Sequence, residues 1–371
     1  MYGHNVTRWL RITALTTLAL ILAGNLAVAA VSSQVDLSVW GRVKFDAGYD
    51  TGNLRGFTDF ATYLATENDA ELNFNPRDTR FGFAASGSEG DWSYRAVVEI
   101  DFYGDNADNN LTPRLRLGYT EIKSTDGFSL RAGQDWIPIA QQNPGTVDFG
   151  ILAWGGNLWW RVPQITLRQR TGDFEWLASI MKHRISSAQE RDEGMPWFIG
   201  RVAWHDGLGE KSLLAVGGGY RSVTVGGNDY EPWLVAAELR VPLGDKLFLH
   251  GEVYTGAGVG REFVHYGFDY NPAHIDGPMV IASQGGFVSL AYKIQPDVTF
   301  NAGYGLDDPC DNDMAGMTTI PYLKNNAMFG NVKKSITRNY GIGCEIMHFE
   351  TETVAATLKG ERFTTSFWFI F

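Results

Sequence analysis

The sequence predicts an all-β protein, a 16-stranded antiparallel transmembrane β-barrel with an inward-folded third long loop. Three patterns predict it: a two-residue alternation of apolar and polar side chains, an alternation of short and long connections, and aromatic residues near strand ends. The composition agrees, because 43 glycines, 13% aromatic residues and only 20% charged residues among 371 suit a β-rich chain with many turns.

The alternation is clearest in residues 35–50, where odd positions are mainly apolar and even positions mainly polar or charged. This run is longer than the usual soluble strand of about five or six residues. The same period recurs in residues 92–103, 233–241 and 363–371. Each segment alone is a weak signal, and their repetition is what predicts a membrane barrel.

The pattern places sixteen strands, an even number that lets an antiparallel sheet close. They are expected near 35–49, 75–86, 91–103, 112–123, 127–134, 161–171, 173–183, 196–205, 211–223, 232–242, 246–256, 283–294, 297–305, 336–347, 351–358 and 362–371.

The connections between these strands alternate between tight turns and long segments, with 359–361 as the one short exception on the long side. Short periplasmic turns and long outer loops are typical of membrane barrels. A soluble sandwich or jelly roll is the alternative, but such a fold does not require short and long connections to alternate.

Aromatic residues on the apolar parity fall near both ends of the expected strands, as the girdles at two membrane interfaces require. The outer set is Tyr49, Phe102, Tyr220, Trp233, Tyr304 and Tyr340, and the periplasmic set is Trp92, Tyr94, Trp204, Phe369 and Phe371.

The first thirty residues predict a secretory signal peptide. Arg8 and Arg11 precede an apolar run at 12–23, and the small residues Ala27-Val28-Ala29-Ala30 follow. Cleavage after Ala30 leaves the barrel as residues 31–371, and the small residues equally allow cleavage after Ala29. An uncleaved N-terminal anchor helix is the alternative. We therefore expect export to the outer membrane, with lipid and lipopolysaccharide around the barrel. The net charge of −11 argues against a nucleic-acid partner.

A barrel of sixteen strands is too wide for side chains to fill, so its interior should hold a water channel. Parity turns many basic residues inward, mostly on the first six strands: Arg42, Lys44, Arg80, Arg95, Arg114, Arg116, Arg131, Arg168, Arg170, Arg201, Arg221 and Arg240. The last five strands turn small or neutral residues inward. The basic side chains either select anions or pair locally and brace loops, and the sequence leaves both readings open.

The third long connection, residues 135–160, is apolar and aromatic, and its only charged residues are Asp135 and Asp148. Because such a loop fits open solvent poorly, we expect it to fold into the barrel mouth and narrow the channel against the arginine-rich wall. An outer cap or a contact with a neighbouring subunit is the alternative.

Several motifs resemble those of the DcaP-like porins, within the trimeric outer-membrane porins of Gram-negative bacteria. They are Val43-Lys44-Phe45-Asp46, residues 77–83, residues 98–104, Arg114-Leu115-Arg116, Ala132-Gly133-Gln134, Asp148-Phe149-Gly150 and residues 161–164. The C-terminal Phe371, with Phe369 and Phe367, resembles the terminal aromatic insertion signal of outer-membrane barrels in general. The resemblance implies a homotrimer, an inward third loop and a preference for small anions such as dicarboxylates. It places Arg42, Lys44, Arg80, Arg116 and Arg131 in the basic wall of the constriction.

Together these observations predict a porin for passive diffusion of small hydrophilic solutes that favours anions such as small carboxylates, with no cofactor, metal or catalysis. The expected constriction residues are Arg42, Lys44, Arg80, Arg95, Arg116, Arg131, Arg168, Asp135 and Asp148. A substrate-specific channel with a saturable site is the alternative. A barrel enzyme is disfavoured, because none of the histidines sits in a recognised catalytic motif.

Overall fold

The computed structural model describes residues 35–371 except 53, 58–59, 65–69, 105–110, 185–194, 265–268, 319 and 321. The expected signal peptide at 1–30 lies outside the described residues. Within the described part of the chain, no helix is long and apolar enough to cross a membrane.

Sixteen long strands form one closed antiparallel sheet, which confirms the predicted all-β, 16-stranded antiparallel barrel. In chain order they are β1 (Asp36–Asp50), β2 (Arg80–Glu89), β3 (Trp92–Asp101), β4 (Arg114–Ser124), β5 (Phe128–Trp136), β6 (Arg161–Thr171), β7 (Phe174–Met181), β8 (Trp197–His205), β9 (Leu213–Tyr220), β10 (Trp233–Pro242), β11 (Leu247–Ala257), β12 (Ala282–Gln295), β13 (Val298–Pro309), β14 (Lys324–Ser335), β15 (Tyr340–Glu352) and β16 (Thr357–Ile370).

Shorter elements decorate this barrel. The short strand Glu71–Asn75 extends the sheet beside β1, where Asn75 lies opposite Asp46. Three small hairpins lie within the long connections: Leu54–Phe57 with Phe60–Leu64, Val223–Val225 with Asn228–Tyr230, and Tyr270–Asn271 with Met279–Val280. A π-helix at Gly260–Val264 and a 3-10 turn at Asn312–Met314 complete the elements.

Burial alternates along the strands in the sense opposite to that of a soluble protein. On β1 the polar side chains of Lys44 and Asp46 are buried, while Val43 and Phe45 are exposed on the outer face. On β8, Val202 is 60% exposed and its neighbour Arg201 is buried. Apolar side chains outside and polar ones inside suit a barrel whose outer face meets lipid.

The strand positions are as predicted as far as β13 and wrong over the last quarter of the chain. Residues 306–335 were expected to be a loop, yet β14 occupies Lys324–Ser335. The expected strands at 336–347 and 351–358 are replaced by β15 and by a connection at 353–356 that leads into β16. Tyr340, expected at an outer strand end, therefore follows the tight turn at 336–339.

The error has a local cause. Residues 324–335 contain three lysines and three asparagines, and their outward positions include Asn326 and Gly330. A strand with polar residues on both parities has no clear two-residue period, so the sequence alone resembles a loop. The predicted total of sixteen strands is nevertheless correct. The prediction omits β14 but divides the hairpin of β15 and β16 into three strands in place of two.

The seam between β1 and β16 closes the barrel. Along it, residues from Arg42 to Asp50 pair with residues from Ile370 to Arg362. At one end of this register, the Arg362 guanidinium donates from Nε and Nη2 to the Asp50 carboxylate, each at 2.6 Å. Its Nη1 also donates to Asp148 at 3.2 Å, so one buried arginine holds the seam and the third long connection together.

We predict that Arg362→Ala lowers the free energy of unfolding by about 3–5 kcal/mol, because it leaves two buried carboxylates without their cation. Denaturant unfolding and refolding in detergent measures this. The control is Lys359→Ala, which removes an exposed ion pair with Glu350 at 2.8 Å and should cost less than about 1 kcal/mol. Equal effects of the two substitutions would contradict the role given to Arg362.

Candidate functional site

Residues 137–160, here called the third-loop segment, connect β5 to β6 and are hydrogen-bonded to distant strands. The backbone N–H groups of Val147 and Asp148 donate to the Glu345 carboxylate on β15, at 2.7 and 2.8 Å. The N–H of Ala140 donates to Glu238 on β10 at 3.1 Å, and that of Leu158 to Glu252 on β11 at 2.7 Å. Three buried carboxylates therefore anchor this backbone.

Cations and amides bind the carbonyl groups of the same segment. Lys44 Nζ donates to the Val147 carbonyl and Lys333 Nζ to the Thr146 carbonyl, both at 2.9 Å. The Asn331 side-chain amide donates to the Gly145 carbonyl at 2.9 Å. Backbone groups that leave water need such partners, so the polar side chains of the barrel interior replace the solvent that this loop would otherwise bind.

Glycine is required where the segment passes closest to the sheet. Gly156 has a φ of +88°, and a Cβ there would lie 2.0 Å from the carbonyl oxygen of Leu306 and 2.5 Å from that of Gly286. Only a residue without a side chain fits this approach.

A cavity of about 400 Å³ lies between the third-loop segment and the wall formed by the first strands. Among the described residues that line it, six are basic and two are acidic. They are Arg42, Lys44, Arg80, Arg116, Arg161 and Lys333, with Asp78 and Asp148. Aromatic rings of Trp136, Phe149, Trp159 and Trp368 complete much of the lining.

Most of the basic side chains on the wall are paired. Asp78 accepts a short hydrogen bond from Arg42 and lies 3.2 Å from Lys44 Nζ and 2.8 Å from Arg80 Nη2. Arg42 and Arg80 keep 31% and 24% of their side-chain surface exposed, whereas Asp78 is buried. The carboxylate thus lies behind the two arginines, and the cations form the accessible surface.

The neighbouring network on β3 and β4 follows the same pattern. Arg116 donates to Glu99 at 2.7 Å and to Asp101 at 2.8 Å, and Arg114 donates to Asp101 at 2.7 Å. Arg114 also lies over the ring of Tyr103, which stacks on Phe149 of the third-loop segment at a centroid distance of 4.0 Å. Ion pairs and stacked rings therefore fix the wall against the loop.

Asp148 is the acidic group of the loop that faces this cavity. Its carboxylate pairs with Arg362 and accepts a hydrogen bond from the Gly150 N–H at 2.5 Å. Burial raises the pKa of the Asp148 carboxyl, and the Arg362 guanidinium opposes that rise. The charge of Asp148 is therefore partly offset at its own position.

The structure brings together five of the nine residues predicted for the constriction: Arg42, Lys44, Arg80, Arg116 and Asp148. Arg131, Asp135 and Arg168 line a separate cavity of about 20 Å³, and Trp136 borders both cavities. Within that smaller site Arg131 pairs with Glu121 at 2.8 Å and with Asp135. Arg95 lines neither cavity and lies 5.8 Å from the centre of the Trp40 ring.

Three basic residues at or beside this cavity, Arg362, Lys333 and Arg161, are not among those predicted from the sequence. Arg362 has the inward parity of Thr364 and Ser366, so its role could have been inferred from the alternation. Lys333 was hidden in the missed strand β14. Arg161 begins β6 and lies opposite Trp136, on the parity of outward residues, and no pattern in the sequence indicates that it lines a cavity.

We predict that Glu345→Ala speeds hydrogen exchange at the amides of Val147 and Asp148 by at least roughly tenfold, because both lose a charged acceptor. Exchange mass spectrometry of peptides covering residues 140–150 measures it. Glu350→Ala on the same strand is the matched control, because Glu350 pairs with the exposed Lys359. Unchanged exchange in Glu345→Ala would contradict the anchoring role.

No protein-family model and no curated protein matches the chain. Solved structures do match over nearly its whole length. The outer membrane channel DcaP of Acinetobacter baumannii is 18% identical, with a TM-score of 0.79 over 93% of this chain and 100% of that one. The anion-selective porin from Comamonas acidovorans is 13% identical, with a TM-score of 0.66 over 91% of this chain and 100% of that one.

A third example is OmpF of Salmonella typhi, solved in complex with daunomycin. It is 10% identical, with a TM-score of 0.57 over 90% of this chain and 97% of that one. At these identities the likeness concerns the fold. The chain has the 16-stranded barrel fold of outer-membrane porins.

Proposed function

We propose that this protein is an outer-membrane porin, a water-filled channel for passive diffusion of small hydrophilic solutes that favours anions such as small carboxylates. The observation that carries the proposal is the 400 Å³ cavity beside the third-loop segment, where six basic side chains outnumber two acidic ones. The third-loop segment is the constriction in this proposal, and residues 1–30 are the cleaved signal peptide that directs export.

The closed sheet with an apolar outer face supports a place in a membrane, since each of the sixteen strands pairs with a neighbour on both sides. The tight turns and long connections fall at opposite ends of the strands, as they do in outer-membrane barrels. The similarity in fold to channels and porins of that membrane supports the same compartment.

Electrostatics supports the preference for anions. Glu238, Glu252 and Glu345, on β10, β11 and β15, accept hydrogen bonds from backbone N–H groups of the third-loop segment. All three side chains are buried, so little of their negative charge is exposed to the lumen. Asp78 lies behind Arg42 and Arg80, so a solute in the cavity meets mainly cations, which attract anions strongly in a narrow, low-dielectric passage.

A second candidate function is a substrate-specific channel with a saturable binding site. The aromatic rings of Trp136, Phe149, Trp159 and Trp368 beside the basic groups favour it, because sites that bind small organic ligands combine apolar surface with a few placed polar groups. Liposome flux separates the two functions: uptake that saturates with one solute supports the specific channel, and linear uptake supports diffusion.

We predict that the double substitution Arg42→Gln and Arg80→Gln shifts the reversal potential in a salt gradient toward cation preference, because it removes two accessible cations of the cavity and leaves Asp78 with Lys44. Planar-bilayer recordings of the purified protein measure it.

The matched control is Arg95→Gln, which removes one positive charge at a position outside the cavity. It should leave the reversal potential near that of the unmodified protein. If Arg95→Gln and the double substitution shift the potential equally, the selectivity depends on total charge and the role proposed for the cavity is wrong.

We further propose that the functional assembly is a homotrimer packed through the outer faces of β1 to β5 and β16. Ala47, Ala85, Ala96 and Ala132 lie on those faces, and small residues allow barrels to approach closely. Gly41 does not serve this purpose, because the ring of Phe371 already occupies the space beside it, 2.7 Å from where a Cβ would be.

We expect native mass spectrometry in detergent to give a mass of three chains for the unmodified protein. Combining Ala96→Trp with Ala132→Trp should shift the distribution to single chains, because the added rings hold neighbouring barrels apart. Val202→Trp on the lipid-exposed face of β8 is the control and should remain trimeric. A monomer as the only species of the unmodified protein would refute the trimer.

A further inference from the structure

The cavity holds one basic side chain whose hydrogen-bonding groups are unused. Arg42, Lys44, Arg80, Arg116 and Lys333 each donate to a carboxylate or a backbone carbonyl. Arg161 also lines the cavity, yet its guanidinium makes no hydrogen bond and no ion pair with any residue in the described part of the chain. It is only 8% exposed.

Three indole rings hold this guanidinium in place. Its central carbon lies 4.7 Å from the ring centre of Trp136, 5.5 Å from that of Trp159 and 5.8 Å from that of Trp160. Trp136 and Arg161 are directly opposite residues on β5 and β6, the two strands that flank the third-loop segment. The side chain is thus fixed at the point where the loop leaves the wall.

This arrangement is electrostatically incomplete. A buried cation without a paired anion is costly, and cation–π contacts recover only a part of that cost. Arg116 lies over the same Trp136 ring at 5.8 Å, so a second positive charge is close by. The Arg116 charge is balanced by Glu99 and Asp101, whereas no described carboxylate lies within ion-pair distance of Arg161.

The missing partner is an acceptor with negative charge, and the cavity is the open side from which it can come. A guanidinium offers parallel N–H donors in a rigid plane, which match the two oxygens of a carboxylate. The surrounding rings fix that plane in advance, so binding an anion requires little ordering of the side chain.

We propose that Arg161 is the anion-binding residue of this channel and receives the carboxylate of a passing solute through two parallel N–H···O bonds. This rests on the proposed porin function and favours its second form, the channel with a saturable binding site. The paired cations Arg42, Lys44, Arg80 and Arg116 provide the field that concentrates anions. Arg161 provides the one site where an anion stops, which makes the flux of carboxylates saturable.

The test uses the full protein in liposomes, with acetate as the anionic probe and arabinose as a neutral probe of the same pore. We expect acetate uptake to saturate and arabinose uptake to stay linear in concentration. In Arg161→Gln the half-saturating acetate concentration should rise by at least roughly tenfold, because a charge-assisted pair of hydrogen bonds is lost. Arabinose uptake should change by less than about twofold, since the rings and the loop remain.

Arg161→Lys covers the case in which the glutamine variant does not fold. Lysine keeps the charge and a contact with the rings but lacks the planar fork, so it should also raise the half-saturating acetate concentration while keeping the anion preference. Arg95→Gln is the control for charge alone, because Arg95 lies against Trp40 and outside the cavity, and it should saturate like the unmodified protein.

The outcomes are distinguishable. If the unmodified protein passes neither probe, the proposed porin function fails. If it passes both but acetate uptake is linear, or if both variants saturate at the same acetate concentration as the unmodified protein, the porin function stands and the role of Arg161 is refuted. If both variants lose arabinose and acetate uptake alike while remaining folded, Arg161 supports the loop and does not bind the solute.

Discussion

The pairing of β1 with β16 is the constraint on which the rest of this structure depends. A sheet in lipid has no water at its edges, so each backbone group of a spanning strand needs a partner on a neighbouring strand. Closing the sheet supplies those partners for the two outermost strands, from Arg42 opposite Ile370 to Asp50 opposite Arg362. Closure also gives every strand one outer face and one face toward the interior. The two-residue alternation of side chains follows directly from that geometry.

The many polar groups inside the barrel then all need hydrogen-bond partners. Carboxylates on β10, β11 and β15 accept hydrogen bonds from the third-loop segment, while lysines on β1 and β14 donate to its carbonyl groups. The loop is therefore part of the same hydrogen-bond network, and its aromatic side chains Trp154 and Trp159 are buried. A chain with a net charge of −11 can still present a basic cavity, because its interior acids are already engaged.

Charge in this cavity divides into two kinds. Ion pairs such as Arg116 with Glu99 and Asp101 fix the positions of side chains. Asp78 lies behind Arg42 and Arg80, so the guanidinium groups of these two arginines face the cavity. A paired cation still contributes to the local field but has little capacity left to bind. An unpaired one held by indole rings, as at Arg161, can bind a solute directly. Long-range attraction and short-range recognition thus belong to different residues within one site.

The sequence by itself determined the barrel fold and the approximate positions of thirteen strands. It also determined that many basic residues of the first six strands have the inward parity, because parity is a local property with a period of two residues. It also placed Arg42, Lys44, Arg80, Arg116 and Asp148 among the residues near the loop, through parity and a resemblance in local motifs. Only the tertiary structure decided which of these meet. Val147 and Glu345 are 198 positions apart, and Lys44 and Val147 are 103 apart, so neither contact leaves a trace in any local pattern. β14 could not be predicted for a similar reason, because its partly polar outward face is recognised as a strand face only when its neighbouring strands are known. Arg161 could not be predicted because its lack of a partner is a property of the assembled cavity.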